Sequence, residues 1–238
     1  MHSPLFYAPS INDNFLPASE AYHVAKVLRA KPGMSVLVTD GKGSLIQAIL
    51  TEVSSRRVAF QATTTLSVTP RSYKVRIAVA PTRKPERNEW MLEKLVEFGV
   101  DEIFFIKTTH THLESFGRVV NPDRMEKIAI SAMKQSGQFF LPEIKTGIQF
   151  EELLALHHHD ATGFIAYVPE KATASHLATA SCGSSDTLVL IGPEGDFSNE
   201  EVQAALNAGF RMVSLGPTRL RTETAAIAAC HAIHLGQL

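Results

Sequence analysis

The chain has 238 residues, of which 45% are apolar and 20% charged, enough for one large domain or two modest ones with real apolar cores. Its formal net charge is −1 and it holds two cysteines, which excludes a strongly basic chain and a disulfide-built scaffold. No apolar run reaches the roughly 18 residues of a membrane span, and Met1–Leu5 lacks the basic-then-apolar pattern of a signal peptide, so a cytoplasmic protein is expected.

Residues 1–70 read as β-rich. Within Ala18–Arg29, Ala21, Val24, Ala25 and Leu28 form one helical stripe, stopped by Lys31-Pro32-Gly33. Ser35–Thr39 is a short apolar strand closed by Asp40-Gly41-Lys42-Gly43, and Leu45–Leu50 returns from that turn. Arg57–Ala62 is a third strand, and the close spacing predicts a small β-barrel.

The pattern changes near Val68–Ser72, and residues 73–238 alternate between strand and helix. Strands are predicted at Lys74–Ala80, Glu102–Ile106, Gly163–Val168, Thr187–Ile191 and Met212–Leu215. Helices are predicted at Pro85–Phe98, Arg124–Gln135, Ser198–Ala208 and Ala225–Leu235, with Ser198 and Glu201 spaced as a capping box. Such alternation implies a mostly parallel sheet covered on both faces.

Basic residues cluster in the first part of the chain: Arg29 with Lys31, Arg56 with Arg57, Arg71 with Lys74 and Arg76, and Arg83 with Lys84 and Arg87. These are either solvated surface charge or a face for a polyanion. His157-His158-His159 point in different directions on any regular element, so no metal centre is expected. Cys230 lies in an apolar helical run and reads as a small core residue.

Two glycine-proline loops carry the chemistry. One is Ile191-Gly192-Pro193-Glu194-Gly195-Asp196-Phe197-Ser198, and the other runs from Leu215-Gly216-Pro217 through Leu220-Arg221-Thr222-Glu223-Thr224. Each follows an apolar strand and opens a helix, the place where open α/β sheets bind ligands. Gly192 allows a positive φ or a close approach. The first loop lacks the spacing of a phosphate cradle, and its acidic turn suits a neutral or cationic ligand. An ion pair of Arg221 with Glu194 or Glu223, clamping the loops, is the structural alternative.

Together the loops resemble the signature of the RsmE family, methyltransferases of the SPOUT (α/β-knot) superfamily that act on N3 of a uridine in 16S rRNA. The resemblance extends over essentially the whole chain through Asp40-Gly41, Glu93-Lys94, Glu97–Val100, Lys127–Ala129, Gln135-Ser136 and Leu141–Ile144. It implies a PUA-like, RNA-binding β-barrel over 1–70 and a trefoil-knotted methyltransferase domain over 73–238. It further implies a homodimer, S-adenosyl-L-methionine as cofactor and the small ribosomal subunit as partner. Cofactor contacts then fall on Tyr167, Ile191, Gly192, Pro193, Glu194, Gly195, Leu215, Gly216, Leu220, Arg221, Thr222 and Thr224. Arg221 is expected to stabilise the uracil anion or position the target, with Glu223 and Glu194 as lesser catalytic candidates that orient the loops or accept a proton. Arg29, Arg83, Lys84 and Arg87 are expected to contact RNA. Where many relatives carry a basic stretch, this chain has Gly137-Gln138-Phe139-Phe140, with Phe139 or Phe140 either stacking on a base or packing internally. Another RNA target, or a catalytically idle assembly factor, are the alternative readings.

Overall fold

A computed structural model describes residues 3–156, 161–167, 174–184 and 186–238. Contacts divide the chain into two units, Met1–Pro70 with Ile130–Leu141, and Arg71–Ala129 with Pro142–Leu238.

In the first unit, strands β1 (Leu5–Tyr7), β2 (Phe15–Leu16), β3 (Ser35–Thr39), β4 (Ser44–Val53) and β5 (Val58–Ser67) form a five-stranded sheet of order β1-β3-β4-β5-β2. β1 is parallel to β3 and the other pairings are antiparallel. The register sets Val36 opposite Ala48 and Val38 opposite Ile46. With Phe6, Leu50, Val58 and Phe60 these make one apolar cluster, as the period of two along each strand requires. Helix α1 (Ala18–Tyr22) covers the cluster with Ala21, and the wider turn that follows, His23–Val27, adds Val24. That turn is closed by a bond from Leu28 N to His23 O of 3.0 Å, five residues apart. A π-type turn shifts the helical phase, so Leu28, expected on the buried stripe, is 42% exposed.

Several contacts tie Ile130–Leu141 into this unit. Lys134 pairs with the buried Glu20 of α1. The β3–β4 turn bonds with the segment after the helix, through Leu141 N to Gly41 O (2.7 Å) and Gly43 N to Phe139 O (3.0 Å). The Phe140 ring lies over Gly43 so closely that a Cβ there would come within 2.6 Å of it. Of the two roles open to this aromatic pair, packing is the one Phe140 fills.

The second unit contains β6 (Lys74–Val79), α2 (Pro85–Glu97), β7 (Glu102–Lys107), α3 (Phe116–Val119), β8 (Glu143–Gln149), α5 (Phe150–Leu156), β9 (Thr162–Ala166), α6 (Leu177–Ala180), β10 (Asp186–Ile191), α7 (Asn199–Asn207), β11 (Arg211–Val213) and α8 (Thr222–Leu235). Helix α4 (Pro122–Ser136) begins here, and its last turns group with the first unit. The sheet has six strands in the order β11-β9-β10-β6-β7-β8, every neighbour parallel. Its central strands are apolar almost without a break, with Val75, Ile77, Ala78, Val79, Val189 and Leu190 fully buried, because helices cover both faces. The capping box at Ser198 and Glu201 is present.

Members of several basic clusters are already paired within the chain. Arg76 pairs with Glu102 (3.2 Å) and Asp186 (2.7 Å), and Arg71 with Asp101 (2.8 Å). Arg57 pairs with Glu52 (3.6 Å) and covers the Phe15 ring (4.1 Å). No helix among the described residues is long and apolar enough to cross a membrane.

Candidate active site

The strand order sets the carboxyl ends of β11, β9 and β10 side by side. The segments that leave those ends are Ser214–Arg221, Tyr167 and Gly192–Ser198, so the two glycine-proline loops and the tyrosine converge although the loops follow strands that do not themselves pair.

The loop after β10 is a tight turn, with Asp196 N bonded to Pro193 O at 3.0 Å. Pro193 and Phe197 are buried and anchor it. Asp196 has φ +70°, and its carboxylate accepts from Phe197 N at 2.9 Å. Burial raises the Asp196 carboxyl above its ordinary range, opposed by the Phe197 amide and by the charge of Arg219. A Cβ on Gly192 would stand 3.1–3.3 Å from Asp196 Oδ1 and the Phe197 ring, so the turn closes this tightly only over glycine.

The loop after β11 is held at its start by Ser214, whose hydroxyl accepts from Gly216 N and donates to Gly216 O, both at 3.1 Å. Beyond it, the main-chain groups of Leu215 and Thr218–Leu220 make no hydrogen bond among the described residues, although Leu215 and Leu220 are half-buried. Half-buried main-chain polar groups need partners, so this stretch is open to water or a ligand. Arg221 precedes the first turn of α8, exposed, with no ion pair among the described residues. The buried Thr222 donates its hydroxyl to Gly192 O at 3.1 Å, tying the loops together.

The alternative role for Arg221, clamping the loops, falls to a different residue. Arg87, in the first turn of α2, sets Nη1 3.3 Å from Glu194 Oε1 and 3.6 Å from Glu223 Oε1. Arg87 therefore does not stand free for RNA, because the start of α2 aims its guanidinium at the two carboxylates. Glu223 is 5% exposed, and its second oxygen is buried without a hydrogen-bond partner. At N2 of α8 this carboxylate also meets the positive end of the helix dipole.

Beside the Pro193–Glu194 turn lies a shallow, half-open cleft with enclosed room for about one water molecule. Its walls are Thr82 and Arg83 after β6, His110 and His112 after β7, and Pro193 and Glu194. Here the strand order reverses, with β6, β7 and β8 running to one edge and β10, β9 and β11 to the other. Thr82 is fixed by Asn88, whose carboxamide accepts from Thr82 N (2.8 Å) and donates to Thr82 O (2.9 Å) and Val119 O (3.1 Å). His110 donates Nδ1–H to Asp196 O at 2.8 Å. Arg83 and Lys84 are exposed, without ion pairs among the described residues. Arg29 lies in the first unit, exposed, in a left-handed conformation (φ +49°) after the π-type turn.

Sequence reasoning did not find Arg87's clamp, His110 or the Thr82–Asn88 pair. The partners of Arg87 and His110 are remote in the chain, Thr82 and Asn88 are six residues apart, and none belongs to a motif. Among the described residues, no cluster of three or more His, Cys, Asp or Glu is arranged to hold a metal ion. His157–His159 lie outside the described residues.

Comparison with known proteins brings in two family models. An RNA methyltransferase domain matches residues 69–234, and an RNA methyltransferase PUA domain matches residues 16–62. A crystal structure of a probable rRNA-methyltransferase from Porphyromonas gingivalis is 44% identical, covers 98% of both chains and superposes with a TM-score of 0.89. The ribosomal RNA small subunit methyltransferase E of Neisseria gonorrhoeae, solved bound to S-adenosyl methionine, is 28% identical over 99% of this chain and 98% of its own, with a TM-score of 0.88. The Mycobacterium bovis protein of the same name is 27% identical over 98% of this chain and 92% of its own length.

Proposed function

The chain belongs to the RNA methyltransferase family, and we propose that it transfers a methyl group from S-adenosylmethionine to N3 of a uridine in the 16S rRNA of the small ribosomal subunit. The observation that carries this reading is the gathering of Tyr167 and the two glycine-proline loops at three adjacent strand ends, tied by the Thr222–Gly192 bond.

The residues there fit the cofactor. A Cβ on Gly195 or Gly216 would meet nothing within 4 Å, so both glycines face open space. The unpaired main-chain groups of Leu215 and Thr218–Leu220 supply donors and acceptors for a nucleoside. S-adenosylmethionine brings an electrophilic methyl carbon on a positively charged sulfur, which the acidic Glu194 side of the site suits. Ile191–Gly195, Leu215, Gly216, Leu220, Thr222 and Thr224 are the proposed cofactor contacts.

The rest of the work is positioning and charge. Uracil N3 is a poor nucleophile until its proton leaves, so catalysis rests on alignment and on cations placed where the anion develops. Arg221, exposed and uncommitted at the mouth of the loops, is the proposed electrostatic partner of that anion. Glu223 and Arg87 hold the loops in register. Arg29 on the first unit, and Arg83 and Lys84 on the second, are the proposed RNA contacts. We further read residues 1–70 as the RNA-binding domain, residues 73–238 as a knotted catalytic domain, and the working protein as a cytoplasmic homodimer.

The test is methyl transfer from labelled cofactor to small subunits that lack the modification. Transfer to N3 of one uridine is expected, and Arg221→Ala is expected to lower it by about tenfold to a hundredfold while leaving the melting temperature unchanged. Absence of transfer by a protein that still binds the cofactor overturns the reading, and an Arg221→Ala variant with unchanged turnover removes Arg221 from the mechanism.

A further inference from the structure

We propose that the mouth of the shallow cleft bounded by Thr82, Arg83, His110, His112 and the Pro193–Glu194 turn receives the N3 edge of the base to be methylated, and that His110 Nε2 accepts the proton from its ring N–H. This rests on the methyltransferase reading above and assigns the half of the site that the glycine-proline loops leave open.

Position is the first argument. The cleft opens where the strand order reverses between β6 and β10, the preferred ligand crevice of a parallel sheet. Pro193 and Glu194 belong both to this cleft and to the loop after β10, so a group in the cleft and a group among the loops share one wall. Enzymes that modify a base inside folded RNA must extrude it into a pocket beside the reactive group.

The second argument is the chemistry of the walls. A main-chain carbonyl can only accept, so the 2.8 Å contact between His110 Nδ1 and Asp196 O assigns the ring proton to Nδ1. In the neutral ring Nε2 then carries a lone pair, and no described residue bonds to it. The uracil ring nitrogen N3 bears a hydrogen, whereas that of cytosine bears a lone pair. An acceptor at this place therefore accepts the first and rejects the second. Thr82, held by Asn88 through both its N–H and its carbonyl, gives the opposite wall a fixed shape. Arg83 at the rim is free to meet a phosphate.

The step balances. The N3–H bond breaks, its proton goes to His110 Nε2, and its electron pair stays on N3. That pair forms the new bond to the methyl carbon, and the pair of the carbon–sulfur bond remains on sulfur, which becomes neutral. The imidazolium then returns its proton to solvent. Charged and titratable groups face His110 from every side. Arg83 and Glu194 lie across the cleft and His112 on its own segment. Asp196 carries the bonded carbonyl, the charge of Arg219 acts on its carboxylate, and Glu201 binds the neighbouring Thr109 N at 2.7 Å.

The experiment compares the full-length protein with His110→Ala, His110→Gln and Arg83→Ala in three measurements. These are cofactor affinity by calorimetry, methyl transfer to unmodified small subunits across pH, and the imidazole NMR signals of the cofactor-loaded protein with uridine or cytidine monophosphate. Both His110 variants are expected to bind cofactor within about twofold of the parent while kcat falls by about a hundredfold or more. The acidic limb of the parent pH profile is expected to disappear with them. Arg83→Ala is expected to raise KM more than it lowers kcat. The uridine nucleotide, and not the cytidine nucleotide, is expected to shift the His110 signal. His110 variants that keep kcat and the parent pH profile overturn the inference and leave the methyltransferase reading standing. Loss of cofactor binding in step with activity also overturns it, because His110 would then act only by supporting the loop. A parent protein that transfers no methyl group overturns both.

Discussion

Arg87 joins parts of the site that are far apart in the chain. Its partner Glu194 lies 107 residues away, so no local pattern could reveal the pair, and a basic run at the start of a helix reads as surface charge. The glycine-proline loops were legible because Gly and Pro after an apolar strand mark a turn wherever they occur. The clamp has a testable cost. The Glu223 side chain is 7% exposed, and Arg87 is the cation beside it. Removing one partner of a buried pair leaves an uncompensated charge, and the 29% exposure of Arg87 moderates the loss. Arg87→Ala is therefore expected to cost about 1–2 kcal/mol of stability in denaturant titration. It should also weaken S-adenosylmethionine several-fold in calorimetry, with Arg87→Lys recovering part of both. Unchanged cofactor affinity would show that the clamp is structural only.

His234 couples α8 to the start of β6 and carries a pH dependence. Arg71 Nη1 lies 3.2 Å from His234 Nδ1 and Tyr73 Oη 2.9 Å from the same atom. A guanidinium can only donate, so the ring must keep a lone pair. Burial first, and the Arg71 charge second, hold His234 at about 4. The unfolded chain takes up this proton near the usual value of about 6.5, so the contribution of the neutral ring is complete above that pH. It is lost as pH falls toward 4, where the folded protein too must protonate. Between pH 7 and pH 4.5 the parent is expected to lose roughly 2–4 °C of melting temperature beyond what His234→Gln loses. Equal losses would exclude His234 as the source.

At the scale of elements, the strongly patterned segments were readable and the rest were set by tertiary context. β3, β6, β10, α2 and α7 fall where apolar periodicity and caps place them. β8 was missed because Glu143–Gln149 mixes charged and apolar residues, and every residue from Ile144 to Ile148 is only half-buried. The phase change after α1 follows from one π-type turn, which helical periodicity does not anticipate. The β3–β4 turn was legible as Asp-Gly, but its support by Phe140 was not, because that contact joins positions nearly a hundred residues apart. Gly43 has φ +94°, and a Cβ there would come within 2.6 Å of the Phe140 ring. Gly43→Ala is thus both conformationally strained and overpacked, and should cost about 2–4 kcal/mol in chemical denaturation. Combining it with Phe140→Ala should relieve only the steric part. A Gly43→Ala variant as stable as the parent would mean that the ring does not hold the turn.

At the scale of the whole molecule, the decisive feature is what the single chain leaves uncovered. Helix α8 reads from the sequence as apolar nearly all round, a pattern that needs burial on more than one side. Within the chain it buries Ala226, Ala229, Cys230, Ala232 and Ile233, and it packs on α2, α6, β6 and β10. Leu235 nevertheless remains 48% exposed, as do Trp90 at 47% on α2 and Phe98 at 38% just after it, and the exposed His231 ring rests on Phe98 at 5.0 Å. Large apolar groups left exposed on two packed helices are what an interaction surface would cover, and a two-fold pair of identical copies is the commonest way to do so. Arg221 and Thr224 lie exposed at the start of the same helix, so a dimer that covered α8 along its whole length would bring a second chain to them. Sedimentation is expected to give a dimer at micromolar concentration. Trp90→Glu combined with Leu235→Glu should give folded monomers, because both side chains are half-exposed in the single chain. If the monomers bind cofactor but transfer methyl groups at a fraction of the parent rate, the partner completes the site. If they match the parent, each chain carries the whole of it.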